Sequence, residues 1–263
     1  MKQRPAVLMI LGLLGLAFMV LPVLAMLMDT PWQAFASILT SPTTRAALML
    51  SLLVSLIATA ICLVVGVPLA WLLAKELLPW TRLWRAFVLV PLLLPPVVSG
   101  VALLSAFGRR GLVGAPIYSL LGMQLPFTTA AVVLASAFVA LPFLVITMEG
   151  AFRSVDHTIE EAATVDGAPA RTVFWRVTLP MLGPSLLAGV LLCWARAIGE
   201  FGATITFAGN IEGVTQTMPL AVYTALETDR DSAVALSLVL LVIGVAIIVA
   251  MRGRYLPRIN PGR

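Results

Sequence analysis

Six long apolar runs, at about residues 6–28, 46–74, 86–107, 126–149, 181–203 and 232–251, leave this chain few folds to choose from. An α-helix rises about 1.5 Å per residue, so roughly 20 residues cross the hydrocarbon core of a bilayer. Every run reaches that length. Lipid offers backbone amides no partners, so such runs must close their own hydrogen bonds as helices. Composition agrees: 60% of the residues are hydrophobic and 11% charged, under half of the roughly 25% with which a soluble domain faces water. A soluble globular enzyme, a disordered chain and a fibrous one are excluded. The sequence predicts an all-α integral membrane protein with six transmembrane helices, one transmembrane domain over residues 1–263 in the lipid bilayer. The first run follows Met1-Lys2-Gln3-Arg4, as a signal core would. Its 23 residues are longer than is usual for one and no Ala-x-Ala site closes it, so it is read as a retained span.

The basic residues set the orientation. With a cytoplasmic N-terminus, the inner side carries Lys2, Arg4, Lys75, Arg82, Arg85, Arg153, Arg171, Arg176, Arg252, Arg254, Arg258 and Arg263, and the outer side Arg45, Arg109, Arg110 and Arg230. That is 12 against 4, with Arg196 inside a span. The positive-inside rule therefore predicts that both termini are cytoplasmic. Topology accounts for the net charge of +5, and no nucleic-acid partner is implied. Cys62 and Cys193 both lie in apolar runs and build no disulfide framework. Pro91, Pro95 and Pro96 punctuate the third span, Pro68 the second and Pro142 the fourth. A proline removes a backbone donor. The triple fits a pathway lined by broken helices as well as it fits the ordinary richness of membrane helices in proline.

The inner segment 150–180 is the most patterned polar stretch. It reads as two short helices. Thr158-x-x-Glu161 has the form of a capping box for the first. Gly167 is placed to end that helix in the left-handed region. Pro169 suits the first turn of the second, and Pro180 marks the start of the fifth span. Ile159, Ala162, Ala163, Val173, Phe174 and Trp175 suggest an apolar surface for a partner to cover.

Glu161-Ala162-Ala163, three residues, Gly167, nine residues and then Val177-Thr178-Leu179-Pro180 resemble the EAA loop of ABC importer permeases, with Val177 where that pattern has isoleucine. A second stretch, Ala197-Ile-Gly-Glu-Phe-Gly-Ala-Thr-Ile-Thr-Phe-Ala-Gly-Asn210 with Thr215-Gln-Thr-Met-Pro-Leu-Ala-Val-Tyr223, resembles the permeases for molybdate and tungstate. Sulfate permeases carry a related Gly-Glu-Phe-Gly segment, and Leu94-Pro95-Pro96-Val97-Val98 recurs in both groups.

The resemblance implies a type I ABC importer permease fold. It implies a loop, with Glu160, Glu161, Ala162, Ala163, Asp166, Gly167, Arg171, Leu179 and Pro180, that docks on a cytoplasmic ATPase. It also implies a homodimer of this chain, two cytoplasmic ABC ATPase subunits and an external oxyanion-binding protein docking on loops 29–45, 108–125 and 204–231. The chain's two lysines, Lys2 and Lys75, do not follow glycine, so it has no P-loop. ATP and Mg belong to the ATPase partner, and no cofactor is expected on this chain.

Arg196 and Glu200 stand four apart in the fifth span, where ionisable residues are rare. They are read either as part of an oxyanion path or gate, together with Gly202, Pro95, Pro96 and Ser99, or as a mutually neutralising pair. His157, the only histidine, has neither the neighbours of a metal site nor those of a triad. Met218–Leu226 is read as a short helix at the outer interface. The expected function is import of molybdate or tungstate. Sulfate or thiosulfate import is the alternative, and a proton-coupled secondary transporter built on Glu200 is the more distant one.

Overall fold

The computed structural model describes residues 6–255, and among them the chain is helical throughout. The helices are α1 Ala6–Met28, α2 Trp32–Thr40, α3 Pro42–Ala74, α4 Thr81–Leu93, α5 Pro96–Phe107, α6 Gly114–Leu121, α7 Thr129–Arg153, α8 His157–Val165, α9 Ala170–Val173, α10 Leu179–Met181, α11 Gly183–Ile198, α12 Gly202–Phe207, α13 Met218–Thr228 and α14 Arg230–Tyr255. A π-helical turn, Phe174–Thr178, joins α9 to α10.

Four helices are long and apolar enough to cross a bilayer unbroken: α1, α3, α7 and α14. The third predicted span is a bent pair, and the fifth overlaps α11, which forms a second bent pair with the segment Ala170–Met181 before it; up to six crossings result if each pair counts as one. Between α4 and α5 the chain turns by 118°. A residue before proline is pushed out of the helical region. Leu94 precedes Pro95 and Pro95 precedes Pro96, so both are extended, at ψ 133° and 141°. Pro96 then opens α5, where its missing N–H costs nothing. The second pair, Ala170–Met181 with α11, bends by 75°. Pro184 in the first turn of α11 cannot continue a ladder from behind. The predicted span 181–203 is also shortened, because α11 stops at Ile198 and a separate short helix, α12, begins at Gly202.

The core is the three-way packing of α3, α7 and α11. Lipid tails are as apolar as leucine, so helix pairs in a membrane rely on small residues that let backbones approach. Ala58, Ala70, Ala131, Ala135 and Ala140 are fully buried. A Cβ on Gly189 would lie 2.9 Å from Leu144 Cδ1, and one on Gly66 3.0 Å from Leu141 Cδ1. Polar groups add cross-helix bonds. Trp194 Nε1 donates to Ser55 Oγ (3.0 Å), and the Met218 N–H to Ser51 Oγ (2.7 Å). That second bond, with Met218 and Leu220 fully buried, holds α13 back against α3 and α14. The segment is a short helix, as the sequence suggested, with one face packed into the bundle and the face bearing Tyr223 and Leu226 exposed.

Helix α1 stands apart: its side chains from Val7 to Ala25 are exposed. Its far end is tied by Asp29 to Arg230 at 2.8 Å. Beside that pair, the Asp229 carboxylate accepts from the Ser232 hydroxyl, which holds its pKa below the usual carboxylate value.

Candidate functional site

Two groups of residues invite a functional reading, one at each end of the broken fifth span. The first is the loop at the end of the bundle that carries Lys75, Arg85 and Arg153. Helix α8 is capped by Asp156, whose Oδ1 accepts the Thr158 N–H at 3.0 Å and the Thr158 hydroxyl at 2.8 Å. The capping box expected at Thr158 and Glu161 is therefore replaced by a cap two residues earlier, because the aspartate is the stronger N-cap acceptor. The C-terminal end is a Schellman closure. The Ala168 N–H reaches the Ala163 carbonyl (3.1 Å) and the Gly167 N–H the Thr164 carbonyl (3.0 Å), with Gly167 at φ +85°. Pro169 caps α9 from just outside it, with ψ 149°.

The chain then runs through the π-turn. The Leu179 N–H bonds five residues back, to the Phe174 carbonyl. Pro180 has no N–H to offer Arg176, and the wider turn before it absorbs that loss. Phe174 sits between Trp71 (5.7 Å) and Phe152 (6.1 Å), and Val173 is buried. These two residues face the bundle, contrary to the expectation that they form a partner surface. What remains exposed is the outer face of α8 and the turn after it: Ile159, Glu161, Ala162, Val165, Asp166 and Arg171, with Trp175 beside them. Leu179 is half-buried and Pro180 exposed.

Glu160 anchors this knob. Its Oε2 lies 2.6 Å from Lys75 Nζ at the end of α3, and its Oε1 accepts from the buried Thr178 hydroxyl at 2.8 Å. Neighbouring Glu161 points outward. Adjacent glutamates thus divide the work, one tying the loop to the bundle and one facing solvent. Sequence spacing did not reveal this division, because the partners of Glu160 are 85 and 18 residues away.

The second group surrounds the gap between α11 and α12. Arg196 Nη1 lies 2.6 Å from Glu200 Oε2, and the Glu200 side chain is 1% exposed. Glu200 lies past the end of α11, so the two residues, four apart in sequence, do not sit on one continuous helix. Glu200 Oε1 instead accepts the Ala203 N–H (2.8 Å) in the first turn of α12. One carboxylate thus balances a cation and caps a helix, which favours the neutralising reading of the pair.

Helix α12 is pressed onto α5. A Cβ on Gly202 would stand 2.2 Å from Pro96 Cβ, and one on Gly100 2.4 Å from Thr206 Cβ. Ser99 Oγ on α5 and Thr204 Oγ1 on α12 are buried and accept or donate no hydrogen bond among the described residues. Pro95, Val97 and Val98 remain exposed along α5. The structure therefore brings Pro96 against Gly202, with Glu200 capping the same short helix, and adds Gly100, which no motif had singled out, and Thr204 and Thr206, which lay unremarked within the 197–210 stretch. Among the described residues no group of three or more His, Cys, Asp or Glu could hold a metal ion.

A bundle of apolar helices broken by prolines, with an ordered polar loop at one end, is an integral membrane architecture, and the relatives of this chain place it among transport permeases. The chain belongs to the family of binding-protein-dependent transport system inner membrane components, which it matches over residues 66–260. Members of that family are permease subunits and not enzymes, and as inner membrane components they are multi-pass membrane proteins. The chain is 45% identical over 240 residues to the molybdenum transport system permease protein of Mycobacterium tuberculosis, covering 91% of this chain and 90% of that one. It is 40% identical over 226 residues to the corresponding protein of Escherichia coli, covering 86% and 98%. A probable sulfate transport system permease protein of Zygnema circumcarinatum is 34% identical over 248 residues, covering 93% and 86%. The same fold is seen in a crystal structure of a bacterial alginate ABC transporter in complex with alginate pentasaccharide-bound periplasmic protein, with a TM-score of 0.73 at 16% identity over 94% of this chain and 92% of that one.

Proposed function

We propose that this chain is the membrane-spanning permease subunit of an ATP-driven importer that carries molybdate, or the isosteric tungstate, across the cytoplasmic membrane. The observation that carries the reading is the 45% identity, over nine-tenths of both chains, to a molybdenum permease. Sulfate is the second candidate, and the lower identity to the sulfate relative ranks it there.

In this reading the end bearing Lys75, Arg85 and Arg153 faces the cytoplasm, as the positive-inside rule requires, and both termini lie on that side. Two copies of the chain pair in the membrane. Two cytoplasmic ATPase subunits, which use ATP and Mg, receive the exposed α8 knobs, and an external oxyanion-binding protein delivers the anion. The chain's own contribution is mechanical. Closure of the ATPases pushes on α8, and the Glu160 anchor makes α3 and the π-turn move with it. Separation of α5 from α12 then opens a path. Arg196, 29% exposed, lends that path positive potential, and the Ser99 and Thr204 hydroxyls become available as donors.

The test is trace-level molybdenum, tungsten and sulfur uptake in a deletion strain, with and without this gene restored. Gene-dependent molybdenum or tungsten uptake with normal sulfate uptake supports the reading. A sulfate defect alone overturns the substrate. The proton-coupled alternative requires uptake that persists without ATP and collapses with the proton gradient.

A further inference from the structure

Helix α4 carries no fully buried residue, and of its side chains Val88 alone packs on the core of the bundle. Its cytoplasmic end is held chiefly by one side chain. Arg85 Nε donates to Glu149 Oε1 on α7 at 2.6 Å, and its Nη2 donates to the Leu73 carbonyl in the last turn of α3 at 2.9 Å and to Glu76 Oε1 at 3.2 Å. Arg153 closes the cluster from α7, 3.1 Å from Glu149 and 3.9 Å from Glu76. Glu76 is held in the left-handed region at φ 54°, a conformation that non-glycine residues adopt only where the surroundings impose it. The residue before it, Lys75, grips Glu160 on α8. Two consecutive residues at the end of α3 therefore hold the coupling loop on one side and α4 on the other. At its far end α4 meets the Leu94–Pro96 break and passes into α5, which is locked against α12 at Gly202 and Gly100.

Building on the permease reading above, we infer that the Glu76–Arg85–Glu149 cluster is the link that passes movement of the coupling loop to the broken gate helix, with Arg85 as its positioning residue. A rod gripped at one end by a planar, five-donor guanidinium and joined at the other to the gate transmits displacement. The grip is charge-assisted and only partly shielded, with Arg85 24% exposed, so it can shift partners during a transport cycle without crossing the hydrophobic core.

The experiment uses the assembled complex of this chain with its ATPase and binding protein in proteoliposomes, reading molybdate uptake and ATP hydrolysis together. Arg85→Gln is expected to leave binding-protein-stimulated hydrolysis within about twofold of wild type and to lower molybdate moved per ATP by about tenfold. Glu76→Gln, at a side chain 68% exposed, is expected to lower the ratio two- to threefold with an unchanged melting temperature. Arg85→Lys, which keeps a cation beside Glu149 and Glu76, is expected to retain at least half of the wild-type ratio. An unchanged ratio in Arg85→Gln overturns the link, as does a parallel fall of both rates in Arg85→Gln that Arg85→Lys does not rescue. A wild-type complex whose hydrolysis ignores every loaded binding protein overturns the permease reading instead.

Discussion

Gly202 lies against Pro96 so closely that a Cβ on the glycine would stand 2.2 Å from the proline Cβ and 3.3 Å from its backbone carbon. The neighbour is a ring and a main chain, not the far end of a flexible side chain, so it cannot move aside. The short helix α12 and the broken span meet at this point, and glycine is the residue that fits.

Gly202→Ala should therefore cost about 1–3 kcal/mol through overpacking and hold α5 away from its seat. Thermal unfolding in detergent and molybdate uptake are the readouts. A variant as stable and as active as wild type would contradict the close packing.

Gly167 presents the opposite case. Nothing lies within 4 Å of an added Cβ there, but φ is +85°. The constraint is backbone conformation alone. Gly167→Asn should support near-normal uptake, since asparagine tolerates the left-handed region, while Gly167→Val should cost about 1–2 kcal/mol locally and uncouple transport from hydrolysis. Equal behaviour of the two variants in an uptake-per-ATP assay would show that the positive φ at Gly167 does not decide coupling.

Glu200 both balances Arg196 and caps α12. Glu200→Ala strands a cation and frees the Ala203 N–H, and a loss of about 3 kcal/mol is expected. Replacing the pair together, Arg196→Met with Glu200→Leu, should recover all but about 1 kcal/mol, the share of the missing cap. Chemical denaturation of the single and double variants measures the difference. A proton-coupled carrier would instead lose uptake in Glu200→Gln while keeping its stability.

Ser99 hides a hydroxyl with no partner among the described residues. Removing an unsatisfied buried polar group is neutral or stabilising, by about 1 kcal/mol. Ser99→Ala should thus melt no lower than wild type, and should import molybdate more slowly if that hydroxyl meets the anion once the gate opens. Slower uptake at unchanged stability is the expected pair of results.

How much of the fold and the site was legible in the sequence differs from element to element. The four unbroken spans and the loop between α7 and α11 could be read because apolar length and Gly167 each act locally. Leu94-Pro95-Pro96 announced a break, yet its angle of 118° depends on α12, which arrives far later in the chain. The end of α11 at Ile198 was masked in the sequence: Gly199 can serve as a stop, but the apolar run continues past it, and the capping of α12 by the Glu200 carboxylate shows only in the fold. Val173 and Phe174 were assigned to a partner surface because apolar residues in a polar loop look exposed. Val173 is buried, and the ring neighbours of Phe174, Trp71 and Phe152, lie on helices that only the fold brings near. Glu160 was grouped with its neighbours by motif, and its distinct role emerged with Lys75 and Thr178 in place.

The break after Leu94 also bears on how the protein is made. Helices α4 and α5 have 13 and 12 residues, about 20 and 18 Å of helix, and neither alone crosses a hydrocarbon core of about 30 Å. A segment that enters the membrane during synthesis as one apolar stretch must later fold back on itself, and the surface that receives it includes Gly202–Phe207. The final shape of the third span is thus reached only after the fifth has entered the bilayer, so membrane insertion and tertiary folding here are ordered in time, with the contact of α5 on α12 completed late.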